Sequence, residues 1–319
     1  MTSTSHDLQV QSIAHGALRL EQLYPEYGAE RRRLIVLKYR GTKFRGGYHD
    51  YVIKRGGLDV YPRLVASEHH PAIVDEALQS GIVELDLLMG GGIDRGTSTL
   101  IVGAAGTGKS TVSAQFVVAA AKRGEKAAMF IFDESVNTLL RRTSGLKINL
   151  RKYFKAGLVT IQQVDPAELS PGEFAQAIRR CVDNDGVSIV VIDSLNGYLN
   201  AMPNERYLVV QLHEMLTYLG QQNVATILVG AQAGLIGSNM NTPVDASYLA
   251  DAVVLMRYYE MKGEVRQAIS AIKKRGGQHE RSIRDFSLGS KGIVVGPPLT
   301  EFRGVLTGVT IVEKDRQSK

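Results

Sequence analysis

The sequence predicts an α/β fold in which a mostly parallel sheet is flanked by helices and continues into antiparallel strands near its C-terminal end. Between residues 100 and 231, apolar runs of strand length alternate with helix-like segments, an order that gives parallel strands joined by helical crossovers. From about residue 252 the pattern changes to consecutive short strand-like runs at 252–258, 266–273, 282–288 and 292–295. Consecutive short strands favour antiparallel pairing at one edge of a sheet.

The composition is that of an ordinary globular protein, with 44% hydrophobic and 22% charged residues. No apolar run reaches membrane-spanning length, and the first residues lack the pattern of a secretory signal. The single cysteine, Cys181, excludes an intrachain disulfide and a cysteine metal cluster, and it fits a reducing compartment. We therefore expect a cytoplasmic protein without a membrane partner.

The positive charge is concentrated near the N-terminus. Residues 26–65 hold ten Arg or Lys and four acids, so this segment alone accounts for the net charge of +6. Such a block is typical of a nucleic-acid footprint. It is equally typical of a solvated face or of a phosphate-facing subunit edge, and the sequence leaves these alternatives open.

A phosphate-binding loop is the strongest local signal. Residues 103–110 read G-A-A-G-T-G-K-S and fit the pattern G-x-x-x-x-G-K-[ST] between an apolar run at 100–102 and a helical pattern that begins at Val112. The glycines let successive N–H groups point at phosphate oxygens, Lys109 can reach the β- and γ-phosphates, and the Ser110 hydroxyl can bind Mg²⁺. We predict an ATP site with these nucleotide-contacting residues: Gly103, Gly106, Thr107, Gly108, Lys109, Ser110 and Thr111.

A buried strand ending in an aspartate follows about eighty residues later. The run V-S-I-V-V-I-D at 187–193 has the composition of a strand buried on both faces of a parallel sheet. A carboxylate at the tip of the strand beside the phosphate loop can bind Mg²⁺ and its water shell. We predict that Asp193 and Ser110 form the metal site and that the strand of Asp193 lies beside the phosphate-loop strand.

An acid pair, Asp133–Glu134, ends the strand-like run at 127–132. If this strand lies between the phosphate loop and Asp193, it places a carboxylate base near the γ-phosphate, where the attacking water must be oriented. The alternative is a helix cap, because Asp133 or Ser135 could cap the helix that contains Leu139 and Leu140. The sequence does not decide which acid would be the base.

A polar residue ends the apolar run at 225–231. Gln232 could sense the γ-phosphate and pass its state to the glycine-rich loop at 234–243, or it could be an ordinary polar residue where a strand meets a loop.

Taken together, the motifs resemble the KaiC-type branch of the RecA-like P-loop ATPases. The resemblance rests on S-G-I-V-E-L-D-L-L-M-G-G-G-I-D-R-G (80–96), G-A-A-G-T-G-K-S, F-D-E-S, V-V-I-D-S and K-K-R-G, and it covers roughly residues 60–300. It implies a RecA-like core that assembles into a ring, usually a homohexamer, with Mg-ATP between subunits. It also implies that the Lys and Arg of Lys-x-Arg-Gly, here Lys273 and Arg275, act on the nucleotide of the neighbouring subunit. The alternative for these two residues is a pair of surface charges on an edge strand.

The same Lys-x-Arg-Gly pattern occurs earlier, at Lys38 and Arg40, in a segment that begins with a helix or strand at 18–23. KaiC-type proteins carry two ATPase domains in tandem, and residues 11–65 resemble the end of the first. The resemblance therefore predicts a remnant of an upstream domain at 1–65, an ATPase domain at 66–300 and a tail at 301–319. Only about thirty residues precede the repeat, so we expect only Lys273 and Arg275 to contribute to catalysis.

The leading hypothesis is an oligomeric ATPase that couples nucleotide state to a signalling protein partner. The resemblance adds autokinase activity at Ser247 as a secondary expectation, although Tyr248 stands where these proteins carry a second acceptor, a threonine. Two alternatives remain: a DNA-dependent RecA- or helicase-type ATPase, which the basic segment favours, and a nucleotide-gated scaffold that barely hydrolyses ATP.

Overall fold

Two sheets organise the chain in the computed structural model, which describes residues 10–26, 28–65, 76–165, 167–200, 208–232, 248–305 and 311–312. The first is an antiparallel sheet of four strands in the order β1-β2-β3-β4. Its strands are β1 (Gly16–Leu23), β2 (Arg31–Tyr39), β3 (Tyr48–Lys54) and β4 (Gly57–Tyr61).

The second sheet has nine strands among the described residues and carries the helices. A short pair precedes it, β5 (Ala77–Leu78) with β6 (Ile93–Asp94), and helix α1 (Val83–Leu88) lies between them. The alternating part consists of β7 (Ser98–Gly103), α2 (Lys109–Lys122), β8 (Lys126–Ile131), α3 (Val136–Gly145), α4 (Leu150–Lys155), β9 (Val159–Gln163), α5 (Pro171–Asp183), β10 (Val187–Asp193), α6 (Leu195–Asn200), α7 (Leu208–Gln221) and β11 (Ala225–Ala231). The antiparallel part consists of β12 (Ala252–Met261), β13 (Glu264–Lys274), β14 (Arg284–Gly289) and β15 (Gly292–Pro298), and a short pair, β16 (Phe302–Arg303) with β17 (Ile311–Val312), follows.

This architecture confirms the predicted fold class. Strands β7, β8, β9, β10 and β11 pair in parallel, and β12 joins β7 in parallel before the chain turns antiparallel. The central strands are buried on both faces, since one apolar cluster with α2 lies on one side of the sheet and another with α5 and α7 lies on the other. None of the helices in the described ranges is long and apolar enough to cross a membrane.

The strand order corrects two predictions, one about the strand that ends in Asp193 and one about the strand of the acid pair. The nine strands run β15-β14-β13-β12-β7-β11-β10-β8-β9, so β11 separates the phosphate-loop strand from β10, which ends in Asp193. The strand of the acid pair, β8, lies on the far side of β10 and not between the two. The three apolar runs have similar compositions, so their sequence carries no signal for their order.

The strand pairs β1–β2 and β12–β13 have the same hydrogen-bond register. Each first strand pairs with the second across a bulge at the same position, between Ala17 and Leu18 in β1 and between Val253 and Val254 in β12. The N–H of Arg40 donates to the carbonyl before β1, and the N–H of Arg275 donates to the carbonyl before β12. The sequence repeat is therefore also a structural repeat.

The two copies differ in what covers them. Leu18 and Leu20 of β1 are 64% and 55% exposed, whereas Val254 and Met256, at the equivalent register positions of β12, are 3% and 0% exposed. In the second copy β12 pairs with β7 and lies in the main core. The opposite face of the first sheet packs against α5, where the N–H of Gly172 donates to Asp50 at 2.8 Å.

Candidate active site

The loop between β7 and α2 has the conformation that a phosphate site requires. Gly106 and Gly108 have φ angles of +79° and +101°, which glycine adopts without strain. A Cβ on Gly103 would lie 2.1 Å from the carbonyl oxygen of Met256, and one on Gly108 would lie 2.9 Å from the ring of Phe286. The antiparallel strands β12 and β14 therefore pack directly against the loop. A larger residue in place of Gly103 or Gly108 would displace the loop.

Lys109 is buried at the start of α2, directly under the loop. Its Nζ donates to the carbonyl oxygens of Gly103 and Ala104 at 2.8 and 2.7 Å. Burial lowers the pKa of Lys109, and the carboxylates of Asp193 and Asp133 partly oppose this shift. The ammonium group is thus held among loop carbonyls, close to the place where phosphate oxygens would lie.

Asp193, at the tip of β10, is the buried carboxylate of the site. Burial raises its pKa to about 6, the nearby Glu134 and Asp133 add to the rise, and a hydrogen bond from Ser110 opposes it. Among the described residues, its Oδ2 has no hydrogen-bond partner although it is buried. A buried carboxylate with an unsatisfied oxygen beside a serine hydroxyl fits a divalent cation, which prefers oxygen ligands.

The acid pair follows β8 and faces the same cleft. Ser135, not Asp133, caps helix α3, since its hydroxyl accepts the N–H of Thr138 at 3.2 Å. The Asp133 carboxylate accepts a hydrogen bond from Ser194, which follows Asp193. Ser135 therefore provides the helix cap, and neither carboxylate of the acid pair is used for capping.

Sequence reasoning missed one residue of this cleft, Arg142 of α3. Its Nη2 lies 2.6 Å from Oε1 of Glu134, and its Nη1 donates to the Thr111 hydroxyl at 2.7 Å. The arginine follows Glu134 by eight residues and belongs to no motif, so the chain pattern gave no signal for it.

These groups line a cleft of about 410 Å³, a size in the usual range for small-molecule sites. It contains a loop of N–H groups, one buried ammonium, three carboxylates and a guanidinium. Its lining residues include Gly106, Gly108, Lys109, Ser110, Thr111, Asp133, Glu134, Arg142, Asp193 and Leu288. N–H groups and cations can hold a phosphate chain, and carboxylates in the same cleft can hold a metal ion beside it.

Lys273 and Arg275 do not belong to this cleft. Lys274 of β13 pairs with Ala252 of β12, which in turn pairs with Thr99 of β7. The phosphate loop begins four residues after Thr99, at Gly103, which is level with Ile269 of β13. Four residues of strand separate the two levels, about 13 Å at ~3.3 Å per residue. The two cations therefore cannot act on the nucleotide that their own phosphate loop would hold.

The cation pair is nevertheless held in a defined position. Arg275 Nη1 lies 3.2 Å from Asp251 Oδ1, and the other oxygen of Asp251 accepts the N–H of Ser98 at 2.9 Å. Lys273 Nζ donates to the Ala250 carbonyl at 2.7 Å. Between them, Lys274 is buried and forms an ion pair of 2.9 Å with Asp94. Arg275 itself is exposed, on the surface that a neighbouring molecule could contact.

Gln232 is placed next to the loop, since its N–H donates to the Gly103 carbonyl at 3.1 Å. Its sensor role stays a prediction. The loop at 234–243 and Ser247 lie outside the described residues.

A family model for the ATPase KaiC matches residues 78–300 of the chain, a range that contains the whole cleft and both cations. The chain belongs to the KaiC ATPase family. The fold is accordingly that of a RecA-like ATPase, as the sequence resemblance predicted.

Curated relatives of this family align over most of the chain. The chain is 28% identical to the circadian clock protein KaiC3 of Synechocystis sp. over 281 residues, 87% of this chain and 55% of that protein. It is 27% identical to the circadian clock oscillator protein KaiC of Synechococcus elongatus over 293 residues, 91% of this chain and 56% of that protein. The chain therefore spans about half the length of the curated relatives it matches.

Proposed function

We propose that this member of the KaiC family binds Mg-ATP in the cleft and hydrolyses it at a site completed by a neighbouring copy. The observation that supports this most directly is that the phosphate loop and the two cations lie at opposite ends of the same strands. The phosphate loop and three carboxylates meet at one end of β7, while Lys273 and Arg275 are held at the other end. A head-to-tail assembly brings these two ends together, and repetition of that contact can close a ring.

Binding would use the loop N–H groups and Lys109 for the phosphates, with the N-terminus of α2 facing the same anion. Ser110 and Asp193 would hold Mg²⁺. When bound, the metal ion supplies a divalent charge that offsets the phosphate oxygens. The residues named for nucleotide contact, from Gly103 to Thr111, keep that role as a proposal.

Hydrolysis would use the acid pair, with Glu134 as the residue that orients and deprotonates water. The Asp133 carboxylate is engaged by Ser194, whereas Glu134 extends further along the cleft toward Arg142 and Thr111. Lys273 and Arg275 of the neighbouring copy would stabilise charge on the transferring phosphoryl group.

We expect Glu134→Gln to lower kcat by about 10²-fold while the affinity for ATP is retained, since a general base typically contributes ~10²–10⁴. The amide keeps the size of the side chain and its contact with Arg142 but cannot accept the proton of water. Phosphate release and nucleotide binding would be measured on the same protein. Asp133→Asn is the matched comparison, and a larger loss there would assign the base to Asp133 instead.

The assembly itself is testable. The monomer mass is 34.8 kDa, and we expect light scattering with ATP and Mg²⁺ to give a multiple of it, six copies for the homohexamer that the family resemblance implies. Without nucleotide the mass should fall, because the phosphate chain would join the two halves of each site. If the chain is a monomer both with and without ATP and Mg²⁺ and still hydrolyses ATP, the site is not shared between copies.

The family relationship also supports a role in signalling. The relatives are named as circadian clock proteins, and we infer that nucleotide state in this chain is read by a protein partner in the cytoplasm. Autophosphorylation at Ser247 is a secondary part of this proposal.

The structure lends less support to a nucleic-acid function. Four of the ten basic side chains between residues 26 and 65 are engaged with acids, which lowers the charge available to a phosphate backbone. The pairs are Arg32–Glu30, Arg33–Glu21, Lys54–Asp59 and Arg63–Glu214.

A further inference from the structure

Helix α3 carries a cation into the nucleotide cleft from a position that no motif predicts. Leu139, Leu140 and Thr143 are buried and fix the helix against the core, which leaves Arg142 on the side that faces the phosphate loop. Its neighbour Arg141 is exposed. The two adjacent arginines of one helix therefore lie in different surroundings.

The guanidinium of Arg142 bridges two functional segments. One nitrogen contacts the Glu134 carboxylate at 2.6 Å, just before α3 begins, and another donates to Thr111 at 2.7 Å in the first turn of α2. Thr111 is 2% exposed and cannot move far. A planar guanidinium that makes two such contacts fixes the direction of the carboxylate better than a single ammonium could.

The contact also bears on the charge balance of the cleft. Asp133, Glu134 and Asp193 line the same cleft as Arg142, so three carboxylates lie close together there. Like charges that lie in one cleft repel each other. The guanidinium of Arg142 offsets one of these charges, and its loss would remove the contact that ties Glu134 to α3.

We propose that Arg142 is a positioning residue that holds Glu134 in the cleft by tying its carboxylate to Thr111. This inference rests on the proposed function, because it assigns Arg142 a role through the glutamate that would orient water. Arg142 acts within its own chain, in contrast to Lys273 and Arg275.

The test is a double-mutant cycle on the full chain, with kcat and KM for ATP measured in the presence of Mg²⁺. Arg142→Ala should lower kcat by about 10- to 100-fold, because the hydrogen bond to the charged Glu134 carboxylate is lost, and KM should change little. Arg142→Lys should recover part of the loss, and Arg141→Ala should behave as wild type. In a Glu134→Gln background, Arg142→Ala should cause no further loss.

Two results would overturn the proposal. An equal loss of kcat from Arg142→Ala with Glu134 and with Gln at position 134 would show that the arginine acts independently of the glutamate. A raised KM with unchanged kcat would show that it binds the nucleotide instead. Nucleotide binding and the melting temperature of Arg142→Ala would separate these outcomes from misfolding. Absence of hydrolysis by the wild-type chain would instead reject the proposed function on which this inference depends.

Discussion

Lys109→Ala is expected to abolish ATP hydrolysis, with a loss of about 10³-fold or more, and to weaken nucleotide binding. The side chain is 8% exposed and lies under the phosphate loop, with its ammonium on the carbonyls of Gly103 and Ala104. Removal of one preorganised donor to a transition-state charge typically costs ~10²–10³ in rate, and here the donor is also a full charge. Turnover of ATP and equilibrium binding of a labelled nucleotide measure the two effects.

Lys122→Ala is the matched control for this variant. Lys122 lies in the last turn of the same helix and is exposed, so its removal changes the net charge equally without touching the cleft. We expect wild-type turnover from it. Undiminished hydrolysis by Lys109→Ala would show that the cleft is not the site of the reaction.

Arg275→Ala is expected to lower kcat by about 10³-fold, because an arginine supplied to a phosphoryl-transfer site from a neighbour is worth ~10³–10⁵. The effect should appear although Arg275 is level with Asp251 and Ser98, five strand residues from the start of its own phosphate loop, or about 17 Å at ~3.3 Å per residue. Binding of ATP to the chain's own cleft should be affected less than turnover, since Arg275 contributes nothing to that half of the site.

The repeat provides an internal control for this prediction. Arg40 has the same place in the first antiparallel sheet, where its guanidinium donates to the Ser12 carbonyl much as that of Arg275 donates to the Tyr248 carbonyl. We expect Arg40→Ala to hydrolyse ATP at the wild-type rate. A loss as large as that of Arg275→Ala would show that both copies contribute to catalysis.

The sequence predicted those features that local chemistry dictates. The phosphate loop could be found because glycines, lysine and serine at fixed spacing have few alternative explanations. Gly103 packs so closely against Met256 that its position leaves no space for a Cβ atom, which explains why a glycine is required there. The switch from alternating elements to consecutive strands at β12 was also readable, because hydrophobic periodicity changes there. The ends of those strands shifted by a few residues, as hydrogen bonding extends β12 and β13 into polar positions.

The remaining features depend on tertiary contacts. The order of β7, β11 and β10 follows from how similar apolar strands pack, which their composition does not record. Arg142 was missed because its role comes from the packing of α3 against α2, and Lys274 was missed because only its burial beside Asp94 distinguishes it from the two cations that flank it.

The most direct test of the shared site mixes two inactive chains. Lys109→Ala and Arg275→Ala proteins would be combined before ATP and Mg²⁺ are added, and differently tagged copies would show by co-purification that mixed assemblies form. Each variant alone should be nearly inactive. In the mixture, an intact loop from the Arg275→Ala chain meets an intact arginine from the Lys109→Ala chain at about one interface in four if the copies assemble head to tail at random. We expect the mixture to recover up to about a quarter of wild-type turnover at such interfaces if the site is shared between copies. Mixed assemblies that form but recover no activity would contradict a site shared between copies.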